Sequence, residues 1–226
     1  MKSMNEVMEL SNGWVKTGLK RKAYLIIKRL SDIIFGLIGM ILLIPVTLIV
    51  KISYMLNGDF YPIIFSQRRI GKNGQEFNFY KFRTMIPNAD EVLFKLLKEN
   101  KKLAEEYKLN KKLKNDPRIT KVGKIIRKAS IDELPQMINI FFGEMSLIGN
   151  RPYLSREIED MGDSYKDIVK TKPGLTGYWQ VSGRSDTTFK KRLELEKYYS
   201  NHAGLRLDIK IFFKTFKVVL CWKGSR

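Results

Sequence analysis

Apolar residues are spread unevenly along this chain. Ile33 to Val50 (IIFGLIGMILLIPVTLIV) runs eighteen residues without a charge, the short end of what crosses a hydrocarbon core as a helix. Nothing after it resembles a cleavage site, so it does not read as a cleavable signal peptide. Lys16, Lys20, Arg21, Lys22, Lys28 and Arg29 precede it, and Lys51, Arg68, Arg69 and Lys72 follow. Both ends therefore carry the basic excess of the cytoplasmic side, which a simple crossing cannot satisfy. Pro45, inside the segment, removes a helical hydrogen bond and permits a sharp bend. The pattern predicts a re-entrant helical hairpin that returns to the side it entered. Residues 14–29 and Leu205 to Trp222 mix aromatic and aliphatic positions with lysines, as helices lying in a membrane interface do. For the second of these, packing on the protein's own core fits equally well.

Beyond residue 58 the periodicity changes. Ile63 to Gln67 and Phe77 to Arg83 are short β-prone runs separated by Gly71, Lys72, Asn73 and Gly74, and the Asn-Gly pair predicts a β-hairpin. Ala89 to Leu113 reads as one charged helix with a leucine stripe, and Lys121 to Lys128 and Leu134 to Phe142 as further helices. Loops rich in Gly, Pro and Arg follow at Ile148 to Pro152 and Lys172 to Arg184. No repeat or linker interrupts them. The expectation is an α+β, mostly helical chain, with residues 1–58 a basic region carrying the membrane helix and 59–226 one continuous catalytic unit.

Charge narrows the partners. The 226 residues hold 42 Lys and Arg against 23 Asp and Glu, a net +19, so an acidic partner is expected: nucleic acid, an anionic membrane or a phosphorylated small molecule. A single cysteine, Cys221, and a single histidine, His202, exclude a disulfide framework, a cysteine-ligated zinc site and His-based nucleophilic machinery. Any chemistry falls to carboxylates and basic groups.

Arg127 to Gln136 (RKASIDELPQ) is the most informative stretch. Ser130 and Glu133 match a capping box, yet a helix starting there would put Pro135 where its missing amide should already bond. A start nearer Asp132 is the alternative, and would leave that carboxylate at a helix N-terminus, where phosphates also bind. Arg68, Lys81 and Arg83 near the hairpin, Arg127, Arg151 beside Pro152 and Arg184 after Gly183 supply cations suited to phosphate contact. Beside the Asp132–Glu133 pair they fit a site for a diphosphate and a divalent cation.

From about Arg21 to Trp222 the chain resembles the bacterial sugar transferases, monotopic polyprenyl-phosphate sugar-1-phosphate transferases. The matching stretches are KRLSD (28–32), the apolar segment with Pro45, IFSQRRIGKNGQEFNFYKFRTM (64–85), IRKASIDELPQMINIFFGEMSLIGNRP (126–152), KPGLTGYWQVSGR (172–184) and residues 198–220. The resemblance implies that Asp132 is the nucleophile and Glu133 the carboxylate that holds Mg2+, or Mn2+ in its place. It makes Lys81, Arg127, Arg151 and Asp208 active-site positions, directs Arg184 at the nucleotide sugar and has Pro45 break the membrane helix. The implied partners are a UDP-sugar, undecaprenyl phosphate and an anionic phospholipid membrane, without nucleic acid, at the cytoplasmic face of a bacterial membrane; whether the chain forms a homo-oligomer is left open. Two departures stand out: Ile44 where the family often has serine before the proline, and Gly149-Asn150-Arg151-Pro152 for Gly-Pro-Arg-Pro. Two rivals compete. One is a non-catalytic membrane-anchored scaffold whose acids only cap helices. The other is a nucleic-acid-binding module using Phe77, Phe79 and Tyr80 as a stacking platform.

Overall fold

A computed structural model describes residues 18–111, 113–183 and 187–220. Trp14, Arg184, Cys221 and Trp222 lie outside these segments. Helix α1, Gly18–Leu56, takes in both the apolar segment and the described part of the basic stretch before it. Pro45 sits inside α1 without ending it, and the Thr47 hydroxyl, two residues on, donates to the Leu43 carbonyl at 2.6 Å.

One stripe of α1 meets the rest of the protein along most of its length. Asp32, Gly36, Gly39, Val50 and Tyr54 are buried, and Leu43 and Val46 pack on a core cluster, a succession of three- and four-residue steps. The glycines permit close approach: a Cβ on Gly36 would stand 3.1 Å from Phe141, and one on Gly39 2.3 Å from Met137. The opposite face, including Ile34, Leu37, Ile41, Ile44, Leu48 and Ile52, is exposed. That is the surface a helix bathed in lipid needs, and it leaves the buried polar groups facing protein.

The hairpin forms as the Asn-Gly pair predicts. Strands β1, Ile64–Ile70, and β2, Glu76–Phe82, pair antiparallel with Phe65 opposite Lys81 and Arg69 opposite Phe77. Asn73 and Gly74 between them adopt positive φ, 57° and 80°. Phe77 and Phe79 are buried, so the aromatic platform of the nucleic-acid rival does not exist on the surface.

The single helix expected over 89–113 is two, α2 (Ala89–Glu99) and α3 (Lys101–Asn110). Asn100 leaves helical geometry between them, and its side chain accepts the Leu103 amide at 3.2 Å, an N-cap bond that competes with helix continuation. Helices α4 (Lys121–Lys128) and α5 (Gln136–Phe142) follow. Strand β3 (Ser146–Ile148) pairs parallel with β4 (Gly174–Thr176). Between the strands lie α6 (Ile158–Met161) and α7 (Ser164–Ile168), and after them come α8 (Tyr178–Ser182), α9 (Phe189–His202) and α10 (Leu205–Leu220). The second Gly/Pro-rich loop of the sequence thus contains a strand and a short helix. Helix α10 divides its apolar residues between both environments expected for it: Ile211 is buried, whereas Ile209, Phe213 and Phe216 are exposed.

Gly123 links fold to site. A Cβ there would lie 2.0 Å from the Thr84 carbonyl oxygen and 2.8 Å from Thr120 Oγ1. Replacing a helical glycine by alanine ordinarily gains about 1 kcal/mol. Here the overpacking reverses the sign, so Gly123→Ala should cost roughly 1–3 kcal/mol and lower the melting temperature. Gly18→Ala, with nothing within 4 Å of its Cβ, should not.

Candidate active site

The carboxylate pair sits where three elements converge. Helix α4 begins at Thr120, whose Oγ1 accepts the Gly123 amide at 2.8 Å, and it buries Val122 and Ile126. At its end Ser130 reverses the chain in the left-handed region, φ 56°, and makes no side-chain cap bond. The capping box is therefore not formed. Instead Ile131–Glu133 make one 3₁₀ turn, and Pro135 stands immediately before α5, where its lacking amide costs nothing. Ile131 and Leu134 pack on the cluster of Val50, Tyr54, Phe82, Val122 and Ile126. Asp132 between them is only 7% exposed.

Lys81 of β2 meets this turn, its Nζ 3.2 Å from Asp132 Oδ2. Asn139 of α5 fixes the same strand: its Oδ1 accepts the Tyr80 amide at 3.2 Å and its Nδ2 donates to the Asn78 carbonyl at 2.6 Å. Arg127 donates Nε to Thr84 Oγ1 at 2.8 Å. Burial holds its guanidinium below the usual arginine range, while the charges of Asp132 and Asp116 oppose that shift. Among the described residues no three His, Cys, Asp or Glu side chains group into a metal cage. Mg2+ needs none, because it is held by one or two carboxylates with substrate phosphates and water; Asp132 and Glu133, adjacent in one 3₁₀ turn, are the carboxylates that would hold it.

A second cationic cluster faces the other end of the hairpin. Arg69 and Lys81 project from the same face of the ladder, four positions apart, about 14 Å. Arg69 donates to the Pro152 carbonyl at 3.1 Å and lies over the Phe79 ring. Burial first, and then Arg151 and Arg156, push its guanidinium down to about 9 against the pull of Glu157. Arg192 is buried over the Trp179 ring, 4.4 Å from its centroid. Glu196, fully buried, accepts the Arg151 backbone amide at 3.0 Å and so holds the loop that carries Arg151. Asn150, the departure from Gly-Pro-Arg-Pro, donates to Ser200 Oγ at 2.6 Å, the Ile168 carbonyl at 3.2 Å and Thr171 Oγ1 at 3.3 Å. Side-chain bonds thus give this loop the rigidity that proline's fixed φ would supply.

The fold brings Asp132, Glu133, Lys81 and Arg127 together and places Arg151 in the second cluster. Arg184 lies outside the described residues, and Arg83, Arg68 and Asp208 are engaged elsewhere. Arg83 donates to the Pro62 and Met85 carbonyls and to Asp59, and lies over Tyr54. Arg68 is exposed beside Glu76. Asp208 anchors α1: it accepts Lys28 Nζ at 2.6 Å, the Tyr24 hydroxyl at 2.9 Å and the Tyr199 hydroxyl at 2.8 Å. Arg69, Arg192 and Glu196 were not anticipated. Phe189, Leu193 and Tyr199 at helical spacing would have put Arg192 and Glu196 on their buried face.

The bacterial sugar transferase model matches residues 23–222. The chain belongs to the bacterial sugar transferase family. It is 40% identical to the exopolysaccharide production protein ExoY of Sinorhizobium fredii, over 93% of this chain and 92% of that protein. It is 42% identical to the undecaprenyl-phosphate galactose phosphotransferase of Salmonella typhimurium over 98% of this chain, and 35% identical to the UDP-glucose:undecaprenyl-phosphate glucose-1-phosphate transferase of Klebsiella pneumoniae over 84%. The chain spans only 45% and 39% of the lengths of those two proteins.

Burial raises Glu196 from an ordinary 4.5 to about 7 against the pull of Tyr153, the Arg151 amide and Arg192. The folded chain binds this proton more tightly than the unfolded chain. The stabilisation is complete below the unfolded value and lost as pH rises through 7, up to roughly 3 kcal/mol. Denaturant unfolding between about pH 5 and pH 8 should show this decline, and Glu196→Gln should flatten it.

Proposed function

We propose that this family member transfers a sugar-1-phosphate from a UDP-sugar to undecaprenyl phosphate, releasing UMP, through a covalent intermediate on Asp132. The observation that carries the reading is the Lys81–Asp132 pair, a buried carboxylate held by a cation beside a second carboxylate and a half-buried arginine. The names of the relatives, galactose and glucose phosphate transferases acting on undecaprenyl phosphate, supply the substrate class.

In the first step an Asp132 carboxylate oxygen attacks the sugar-linked phosphorus, and the bond to the bridging oxygen breaks. UMP departs with that oxygen and its electron pair, leaving an aspartyl phosphosugar. In the second step a phosphate oxygen of undecaprenyl phosphate attacks the same phosphorus and Asp132 is regenerated. Covalent catalysis divides one difficult displacement into two. Lys81 orients the nucleophile, and Lys81 and Arg127 offset the repulsion between a carboxylate and a diphosphate. Mg2+, or Mn2+, held by Glu133 and Asp132 would neutralise charge developing on the phosphates. The Arg151 loop, with Arg69 behind it, receives the nucleotide end.

The acceptor accounts for α1. Undecaprenyl phosphate stays in the bilayer with its phosphate at the interface, and a helix that enters and returns at the cytoplasmic face places the site there. Both ends of α1 touch the same body of protein, Lys28 at Asp208 and Tyr54 at the Arg83 carbonyl, which favours re-entry over crossing. The reaction opens membrane assembly of a polysaccharide or other lipid-linked glycan.

Asp132→Asn in detergent, supplied with UDP-galactose or UDP-glucose, undecaprenyl phosphate and Mg2+, should release no more than a trace of UMP while folding normally. Substantial release would remove Asp132 as nucleophile.

A further inference from the structure

At the C-terminal end of α5, about 16 Å along the chain path from Asp132, cations gather beside two carboxylates that are bonded elsewhere, Asp32 to Ser146 and the Leu147 amide and Glu144 to the Asn139 side chain. Gly143 ends α5 with φ +85°, and the point where its Cβ would stand is 3.2 Å from both Arg29 Cζ and Lys172 Nζ. Arg29 donates to the Ile140 and Phe141 carbonyls at 2.9 and 2.8 Å, the open acceptors of a helix end. Those bonds orient its guanidinium and leave its charge unneutralised. Lys172 Nζ has no hydrogen-bond or ion-pair partner among the described residues. Burial first, then Arg29, Lys72 and Lys28, hold its ammonium below the ordinary range, and Asp32 opposes them. Asp32 is already engaged by Ser146 Oγ and the Leu147 amide at 3.0 and 2.9 Å, and Lys28 by Asp208. Arg29 and Lys172 therefore form a positive cluster without an ion-paired acid among the described residues, and the exposed hairpin-tip Lys72 is carried toward it by the neighbouring Asn73 amide, which donates to the Val169 carbonyl at 2.7 Å.

Its borders are apolar. Phe142, next to Gly143, is 70% exposed, and Leu25 and Ile26, one turn before Arg29 on α1, are exposed beside it. Such a cluster suits a phosphate that carries hydrocarbon chains rather than a soluble anion. We propose that Arg29, Lys72 and Lys172 bind the phosphate headgroup of an anionic membrane lipid, at a site separate from the catalytic carboxylates. Cations are expected at a helix C-terminus for the dipole alone. Two of them around one glycine, with a third close by and a hydrophobic rim, exceed that need.

The test is native mass spectrometry of the full chain released from detergent containing phosphatidylglycerol, undecaprenyl phosphate or phosphatidylcholine. The wild-type chain should retain phosphatidylglycerol in preference to phosphatidylcholine. Lys172→Gln should lower retention about fivefold, the weight of one interfacial cation, while Lys98→Gln, an exposed lysine on α2, leaves it unchanged. Lys72→Gln, at an exposed turn, carries the same expectation should Lys172→Gln fold poorly. Lys172-dependent retention of undecaprenyl phosphate alone would support the lipid-phosphate site and assign it to the acceptor. Equal retention by Lys172→Gln and wild type, or equal loss in Lys98→Gln, would overturn it. The readout is binding, so failure here leaves the transferase reading untouched, and the reverse.

Discussion

The contact on which the other features depend is the seam between α1 and the charged body of the protein. A helix with an eighteen-residue uncharged stretch gains by staying in hydrocarbon, whereas a body with a large cationic excess gains by staying in water. Joining them requires the polar groups at the seam to be satisfied without solvent. Lys28 and Tyr24 do so on Asp208, Asp32 on Ser146 and the Leu147 amide, and Arg29 on the carbonyls ending α5. Removing one member leaves another charge buried and unpaired, a far larger loss than an exposed ion pair carries. Asp208 therefore serves this chain as an anchor of α1.

The same seam stations the chemistry. Helix α5 packs on the glycines of α1 at one side and reaches β2 through Asn139 on the other. The turn before α5 carries Asp132, and β2 carries Lys81, so their pairing follows from two packing contacts. Thr84 completes the arrangement: its carbonyl accepts the Thr120 amide at the start of α4, and its hydroxyl receives Arg127 from the end of the same helix. Asp132, Lys81 and Arg127 are thus held by short elements locked against one another, the rigidity that the proposed phosphoryl transfer by positioning and electrostatics demands.

Much of this was legible in the sequence, unevenly. The apolar segment and the hairpin announce themselves, one by length and the other by an Asn-Gly pair with the φ it favours. Asp132, Lys81 and Arg127 stood out through the order of their motifs, whereas the capping box at Ser130 was misleading because Pro135 dictates a later start. The break at Asn100 was hidden by a leucine pattern that continues across it. Strands β3 and β4, three residues each, are too short to show a period. Glu196 and Arg69 were missed for a different reason: charged residues are read as solvated by default, and only tertiary packing reveals that these are buried around Arg151.

The most direct test of the central idea, that Asp132 becomes covalently loaded at the membrane face, is mass analysis of the chain quenched after exposure to a UDP-sugar and Mg2+ without acceptor. The account predicts a hexose-phosphate mass increment on the peptide containing Asp132, discharged when undecaprenyl phosphate is added. A chain that turns over both substrates and yet shows that peptide unmodified under every quench condition would contradict it.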